Sequence, residues 1–116
     1  MAPSQREVLS TIARIGPLRL SELAAEEGLN PTMLSRIATK LEAAKLVTRT
    51  PDAADARIVH LAATEAGRAL WEQMRNERTE ALLFALEKLS ADQRRVILDA
   101  LPVMESLEES LRNRNQ

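Results

Sequence analysis

A mainly α-helical fold with one small β-hairpin (α+β) is predicted for this chain by three observations. Apolar residues recur at helical spacing through most of its length, and start and stop signals cut these stretches into five candidate helices. Between the third and the fourth, two short runs rich in β-branched residues flank a polar loop that contains proline.

The first helix is expected over about 4–15, where Val8, Leu9, Ile12, Ala13 and Ile15 follow Ser4, a candidate N-cap, and Gly16-Pro17 stops the run. Leu18-Arg19-Leu20 can form a minimal strand if later strands pair with it. Ser21 is expected to cap a short helix through Glu27, with Leu23 and Ala24 inward and Gly28 supplying the permissive backbone at its end. Asn30-Pro31 opens the third helix, to about Ala44, because asparagine accepts a backbone N–H and proline at the first position loses no hydrogen bond.

Leu34, Ile37, Ala38 and Leu41 fall on one stripe of that helix, which leaves Thr32, Ser35, Arg36, Thr39 and Lys40 on the wet face. Leu46–Arg49 and Ile58–Leu61 read as two strands joined by the loop 50–57. Thr64 is expected to cap a long helix to about Leu89. Ser90 with Gln93 makes a capping box for a last helix to about Leu111, where Pro102 should kink it or mark a break near Ala100. The tail 112–116 is expected to fray.

The 116 residues fit one domain or a domain with a helical arm; the expected division is 1–63 and 64–116. No stretch reaches the length of a bilayer span and no secretory signal opens the chain, so the expected location is the cytoplasm, away from membranes. The absence of cysteine removes disulfides, thiolate nucleophiles and zinc–thiolate sites. With His60 the only histidine and no carboxylate pair spaced with it, neither a metal, a cofactor nor an enzyme active site is expected. The net charge of −1 hides a gradient: 1–29 carries three basic and four acidic residues, 30–60 five and three, and 61–116 eight and ten. A polyanion should therefore meet the middle segment.

The order helix, short strand, helix, tight turn, helix, hairpin is the layout of a winged helix-turn-helix, here followed by two long helices suited to dimerisation. In that layout one helix presents polar and basic side chains to the major groove while the hairpin tip reaches backbone or minor groove. Arg36 and Lys40 can donate to guanine edges or phosphates, and Thr32, Ser35 and Thr39 are short enough to allow close approach. Arg57 is placed to enter the minor groove or bind phosphate, with Asp55 orienting its guanidinium. Lys45 and Arg49, near the hairpin base, suit phosphate contact. Outside such a frame these charges would be ordinary solvated ones. Trp71 and Phe84 lie in apolar rows and are expected in an interface core, and His60 is expected to be structural.

The stretch GPLRLSELAAEEGLNPTMLSRIATKLEAAKLVTRTPDAADARIVHLAATEAGRAL resembles the DNA-binding core of MarR-type (multiple antibiotic resistance) regulators. The resemblance covers about 4–70 well and the remaining helices loosely. It is carried by the SELA helix, the third helix ending in LEAAKLVTR, the wing D-x-x-D-x-R at Asp52, Asp55 and Arg57, and T-x-x-G at Thr64 and Gly67. Ser35, Arg36 and Lys40 match reading-helix positions, and Asp55 and Arg57 match the wing motif.

The resemblance implies a homodimer closed by the terminal helices, a pseudo-palindromic double-stranded DNA operator, repression of nearby genes, and relief by small phenolic or aromatic effectors. The chain departs from the pattern in two places. Ala56 stands where the wing commonly has an arginine, and the helix with which members usually begin lies before the start of this sequence, so the sequence is either truncated or dimerises through a reduced helical set. The competing expectation, favoured by the charge balance and Ala56, is a winged-helix protein-interaction module with little DNA affinity.

Overall fold

The computed structural model of the protein describes residues 1–114. Among them five helices and three strands follow in the order α1 (Pro3–Ile15), β1 (Leu18–Arg19), α2 (Leu20–Glu27), α3 (Pro31–Ala43), β2 (Val47–Pro51), β3 (Val59–Ala63), α4 (Glu65–Glu87) and α5 (Ala91–Arg114). Two compact units result, Met1–Gln73 and Met74–Gln116, with the boundary inside α4.

The first unit has a single apolar centre. Val8, Leu9 and Ile12 of α1, Leu23 of α2, the whole stripe Leu34, Ile37, Ala38 and Leu41 of α3, and Leu18, Val47 and Leu61 of the strands are all buried. Each fully buried leucine contributes about 1.5–3 kcal/mol of transfer free energy, so this centre dominates the stability of the unit. The strands form one antiparallel sheet in the order β1-β3-β2, with Leu18 opposite Leu61, and Val47 opposite Ala63. The minimal strand thus finds the partner it needed, on the outer side of β3.

Local boundaries differ from expectation for identifiable reasons. Ser4 does not cap α1; the helix starts one residue earlier at Pro3, with Ala2 extended and no side-chain cap. Ser21 does not cap α2 either. The backbone N–H of Arg19 donates to Glu22 Oε1 at 3.1 Å, and this reach-back draws Leu20 into the helix and out of the strand. Asn30 caps α3 as expected, accepting the N–H of Met33 at 2.8 Å.

The hairpin strands lie one to two residues beyond their expected positions. Leu46 is taken by the turn that ends α3, its N–H bonding Leu41 O at 2.9 Å, and Ile58 by the wing turn, its N–H bonding Asp55 O at 3.0 Å. The αL residue of the α3 turn is Lys45, at φ 63°, where glycine is usual.

In the second unit the capping box is complete: Ser90 N–H donates to Gln93 Oε1 at 2.9 Å and Gln93 N–H to Ser90 Oγ at 3.1 Å. α4 stops at Glu87 because Lys88 and Leu89 form the tighter bonds to Ala85 O and Leu86 O that close a last turn. Of the kink or break expected at Pro102 the break is absent, since α5 runs through Pro102; residues 112–114 of the expected frayed tail are helical, and its last two lie outside the described residues. Proline removes one helical N–H here, next to exposed residues such as Leu98 and Val103 rather than in a packed centre. Leu82, Leu83, Phe84, Val96, Leu101, Met104, Leu107 and Leu111 all stand exposed. Among the described residues no helix is long and apolar enough to cross a membrane.

Candidate nucleic-acid interface

The exposed face of α3 follows from its buried stripe. With Leu34, Ile37, Ala38 and Leu41 turned inward, the opposite side must carry Thr32, Arg36, Thr39 and Lys40, with Ser35 at the edge. These five, with Pro31, line one shallow open groove. Among the described residues neither Arg36 nor Lys40 has a side-chain hydrogen bond or ion pair, so both cations remain available to an incoming anion.

Other predicted residues are engaged within the chain. Thr39 donates its hydroxyl to Ser35 O at 2.9 Å. Arg49, on β2, donates Nε–H to Glu42 Oε2 at 2.7 Å and Nη2–H to Ser35 O at 3.1 Å and Thr39 Oγ1 at 3.0 Å. Lys45 is exposed at the end of α3, and its carbonyl accepts the Thr64 hydroxyl at 2.7 Å.

The wing is built by two aspartates. Asp52 accepts the N–H of Ala54 at 3.0 Å and of Asp55 at 3.1 Å on Oδ2, while Oδ1 lies 2.8 Å from His60 Nε2. The His60 bond, then the two backbone N–H groups, hold the Asp52 carboxyl below the usual aspartate range. Asp55 grips Arg57 in a fork, with Nε and Nη2 each 3.0 Å from a carboxylate oxygen, and also accepts the Arg57 N–H. That fork is the main reason the Asp55 carboxyl is lowered and the Arg57 guanidinium raised. The expected Asp55–Arg57 pair is therefore present, and it leaves the Arg57 side chain 90% exposed at the tip.

The roles of Glu42 and Asp52 as organisers of this face were not read from the sequence, whereas Thr64 caps the long helix as expected, accepting the Gly67 N–H at 3.0 Å. Asp52 had a legible signal, an aspartate opening a loop, where its side chain bonds backbone a few residues on. Glu42 had none, because its partner is seven residues away across a turn. His60 lies on β3, half-buried, and bonds Asp52 at the base of the wing. Trp71, expected in an interface core, belongs to the first unit, where its indole N–H donates to Ser10 Oγ on α1 at 3.2 Å. Phe84 is exposed, with Lys88 Nζ 4.4 Å from its ring centre. No group of side chains suited to a metal ion occurs among the described residues.

The chain is similar to known proteins. Residues 1–59 match the model of the MarR family. The HTH-type transcriptional repressor MdtR of Bacillus subtilis (strain 168) is 30% identical over 74 residues, which is 64% of this chain and 48% of that protein. The uncharacterized HTH-type transcriptional regulator YxaD of the same organism is 37% identical over 79 residues, 66% of this chain and 55% of its own. The chain thus spans about half the length of the curated relatives it matches. The crystal structure of Streptococcus pneumoniae FabT in complex with DNA shares the fold, with a TM-score of 0.80 at 17% identity over 96% of this chain and 78% of that one. With more than half of its residues matched by the family model and the winged geometry intact, the chain belongs to the MarR family.

Proposed function

We propose that the chain binds double-stranded DNA sequence-specifically as a dimeric transcription regulator that represses genes near a pseudo-palindromic operator. The observation that carries this reading is the pairing state of its charges. On the α3 face Arg36 and Lys40 are unengaged, whereas the nearby acidic group, Glu42, is neutralised by Arg49. A chain of net charge −1 thereby offers a locally cationic surface of a helix's width, which suits a major groove. Thr32, Ser35, Arg36 and Lys40 are assigned to the groove, Arg57 to the minor groove or phosphate beyond it, and Lys45 to phosphate.

A homodimer is supported by the exposed apolar row of Leu101, Met104, Leu107 and Leu111 on α5, which spacing puts on one side of the helix. The repressor role is supported by the curated relative MdtR, named a repressor. Relief by a small phenolic or aromatic effector rests on the family resemblance alone.

Fluorescence anisotropy with the duplex upstream of the chain's own gene, at two salt concentrations and against a scrambled duplex, tests this. Binding should be selective and should weaken with salt by a slope of about −0.9 per phosphate neutralised. Binding to neither duplex at low salt would instead support a winged-helix protein-interaction module, the reading that Ala56 and the net charge favour.

A further inference from the structure

We propose that Glu42, Thr39 and Arg49 form a bracket that fixes the recognition helix against the wing, with Arg49 acting as a positioning residue and not as a phosphate contact. The inference rests on the DNA-binding reading above.

Strand alternation places Arg49 on the same side of β2 as the buried Val47, the side that faces α3, and opposite the buried Leu61. A guanidinium there stands at the rim of the apolar centre, so it must find acceptors within the fold. It finds them on three successive levels of α3, at Ser35 O, Thr39 Oγ1 and Glu42 Oε2. Its side chain is 27% exposed, against 90% for Arg57 at the wing tip. Thr39 gives its hydroxyl proton to Ser35 O and accepts from Arg49, so little of its hydroxyl is left for a base edge.

The covalent link from α3 to β2 is only the Ala44–Leu46 turn. A reading helix and a wing that must reach successive grooves together need their spacing held to a fraction of an ångström, which a turn of three residues alone does not secure. The charge-assisted fork of Arg49 supplies that hold. Because Glu42 cancels its charge, Arg49 adds nothing net to phosphate attraction.

The test uses the full chain, a duplex that it selects from a randomised pool, and a scrambled duplex of the same composition, titrated by anisotropy across a salt series. Arg49→Lys should weaken binding to the selected duplex by roughly tenfold with scrambled-duplex affinity and salt slope unchanged, and Glu42→Gln, which uncovers the Arg49 charge, should tighten binding to the scrambled duplex while the preference for the selected duplex falls by roughly tenfold. Arg49→Lys keeps the positive charge but not the fork, so a phosphate contact would survive it largely intact. Electrostatics alone would have Glu42→Gln tighten both duplexes alike and keep the preference between them. The double variant should lose no more than either single one.

The bracket is overturned if Arg49→Lys binds like the unaltered chain while Arg49→Met lowers the salt slope by about 0.9. An unchanged preference for the selected over the scrambled duplex in Glu42→Gln overturns it too, as does additivity of the two losses. Glu42→Gln alters an exposed side chain and leaves the core untouched, so it decides the matter even where Arg49→Met fails to fold. Failure of the unaltered chain to bind any duplex would sink the DNA-binding reading itself, an outcome distinct from all of these.

Discussion

The hydroxyl of Thr64 donates to the carbonyl oxygen of Lys45 at 2.7 Å, and the same oxygen atom of Thr64 accepts the N–H of Gly67 at 3.0 Å. One side chain therefore caps α4 and ties its start to the turn that ends α3. Thr64 N–H adds a bond to Leu46 O at 3.0 Å. The T-x-x-G motif is thus a clasp between the turn that ends α3 and the start of α4.

The glycine of this clasp cannot be replaced. A Cβ at Gly67 would lie 2.0 Å from Leu46 O, a backbone atom that cannot rotate away. Gly67→Ala should destabilise the fold by about 3 kcal/mol or more, since overpacking against backbone offers no rotamer escape. Urea denaturation measures this, and a loss below the noise of the method would show that α4 can lift off the turn without cost.

Lys45 is the opposite case. At φ 63° it occupies a left-handed conformation that costs an L-residue about 1–2 kcal/mol relative to glycine, part of which glycine gives back through its freer unfolded chain. Lys45→Gly should therefore raise stability by about 1 kcal/mol. If Lys45 also meets a phosphate, the same variant should lower the salt slope of DNA binding by about 0.9, so stability and affinity move in opposite directions.

These two positions show what a sequence can and cannot disclose. The buried stripe of α3, its Asn30 cap and the Ser90–Gln93 box were legible because each depends on local spacing alone. Lys45 in the αL region was not, because lysine carries no signal for positive φ; nor was the partner of Arg49, because alternation tells which face a strand residue takes but not which side chain waits there. The strand offsets have a different origin: local turn bonds, Leu46 N–H to Leu41 O and Ile58 N–H to Asp55 O, claim these residues before the ladder does.

Glu27 makes stability depend on pH in the acidic range. Its carboxyl is pushed up from the ordinary 4.5, by burial first and by Glu7 and Glu26, against the opposing hydrogen bond of buried Thr11 and the charge of Arg14. A raised carboxyl contributes stability that is fully present below 4.5 and lost as pH rises through the folded value, so at neutral pH the ionised group is a burden. Glu27→Gln should melt modestly higher than the parent at neutral pH, with the gap closing below 4.5. A gap that stays constant across the titration would mean that the gain comes from packing and not from charge.

The exposed row on α5 makes a different kind of prediction. Leu101→Glu or Met104→Glu would put an unpaired charge into any interface that this row forms, at a cost of several kcal/mol. The mass by light scattering should fall from dimer to monomer, or the variant should aggregate. A variant that remains a dimer would move the interface away from this side of α5.

Asp52 governs the wing. Asp52→Ala removes the acceptor of His60, Ala54 and Asp55 together, while every residue of the apolar centre stays in place. The melting temperature should therefore change little, whereas amide exchange at Ala54 and Asp55 should quicken and DNA affinity should drop with the loss of a fixed Arg57. In the parent chain the pH dependence has a definite sign. The Asp52 carboxyl is held below its ordinary 3.8, so its contribution is present above 3.8 and is lost as pH falls through the lower folded value. The protection of the Ala54 and Asp55 amides, which the Asp52 carboxylate holds, should persist from neutral pH down to that point and be lost only beneath it. A wing that loosens already near neutral pH would assign the dependence to a group other than Asp52.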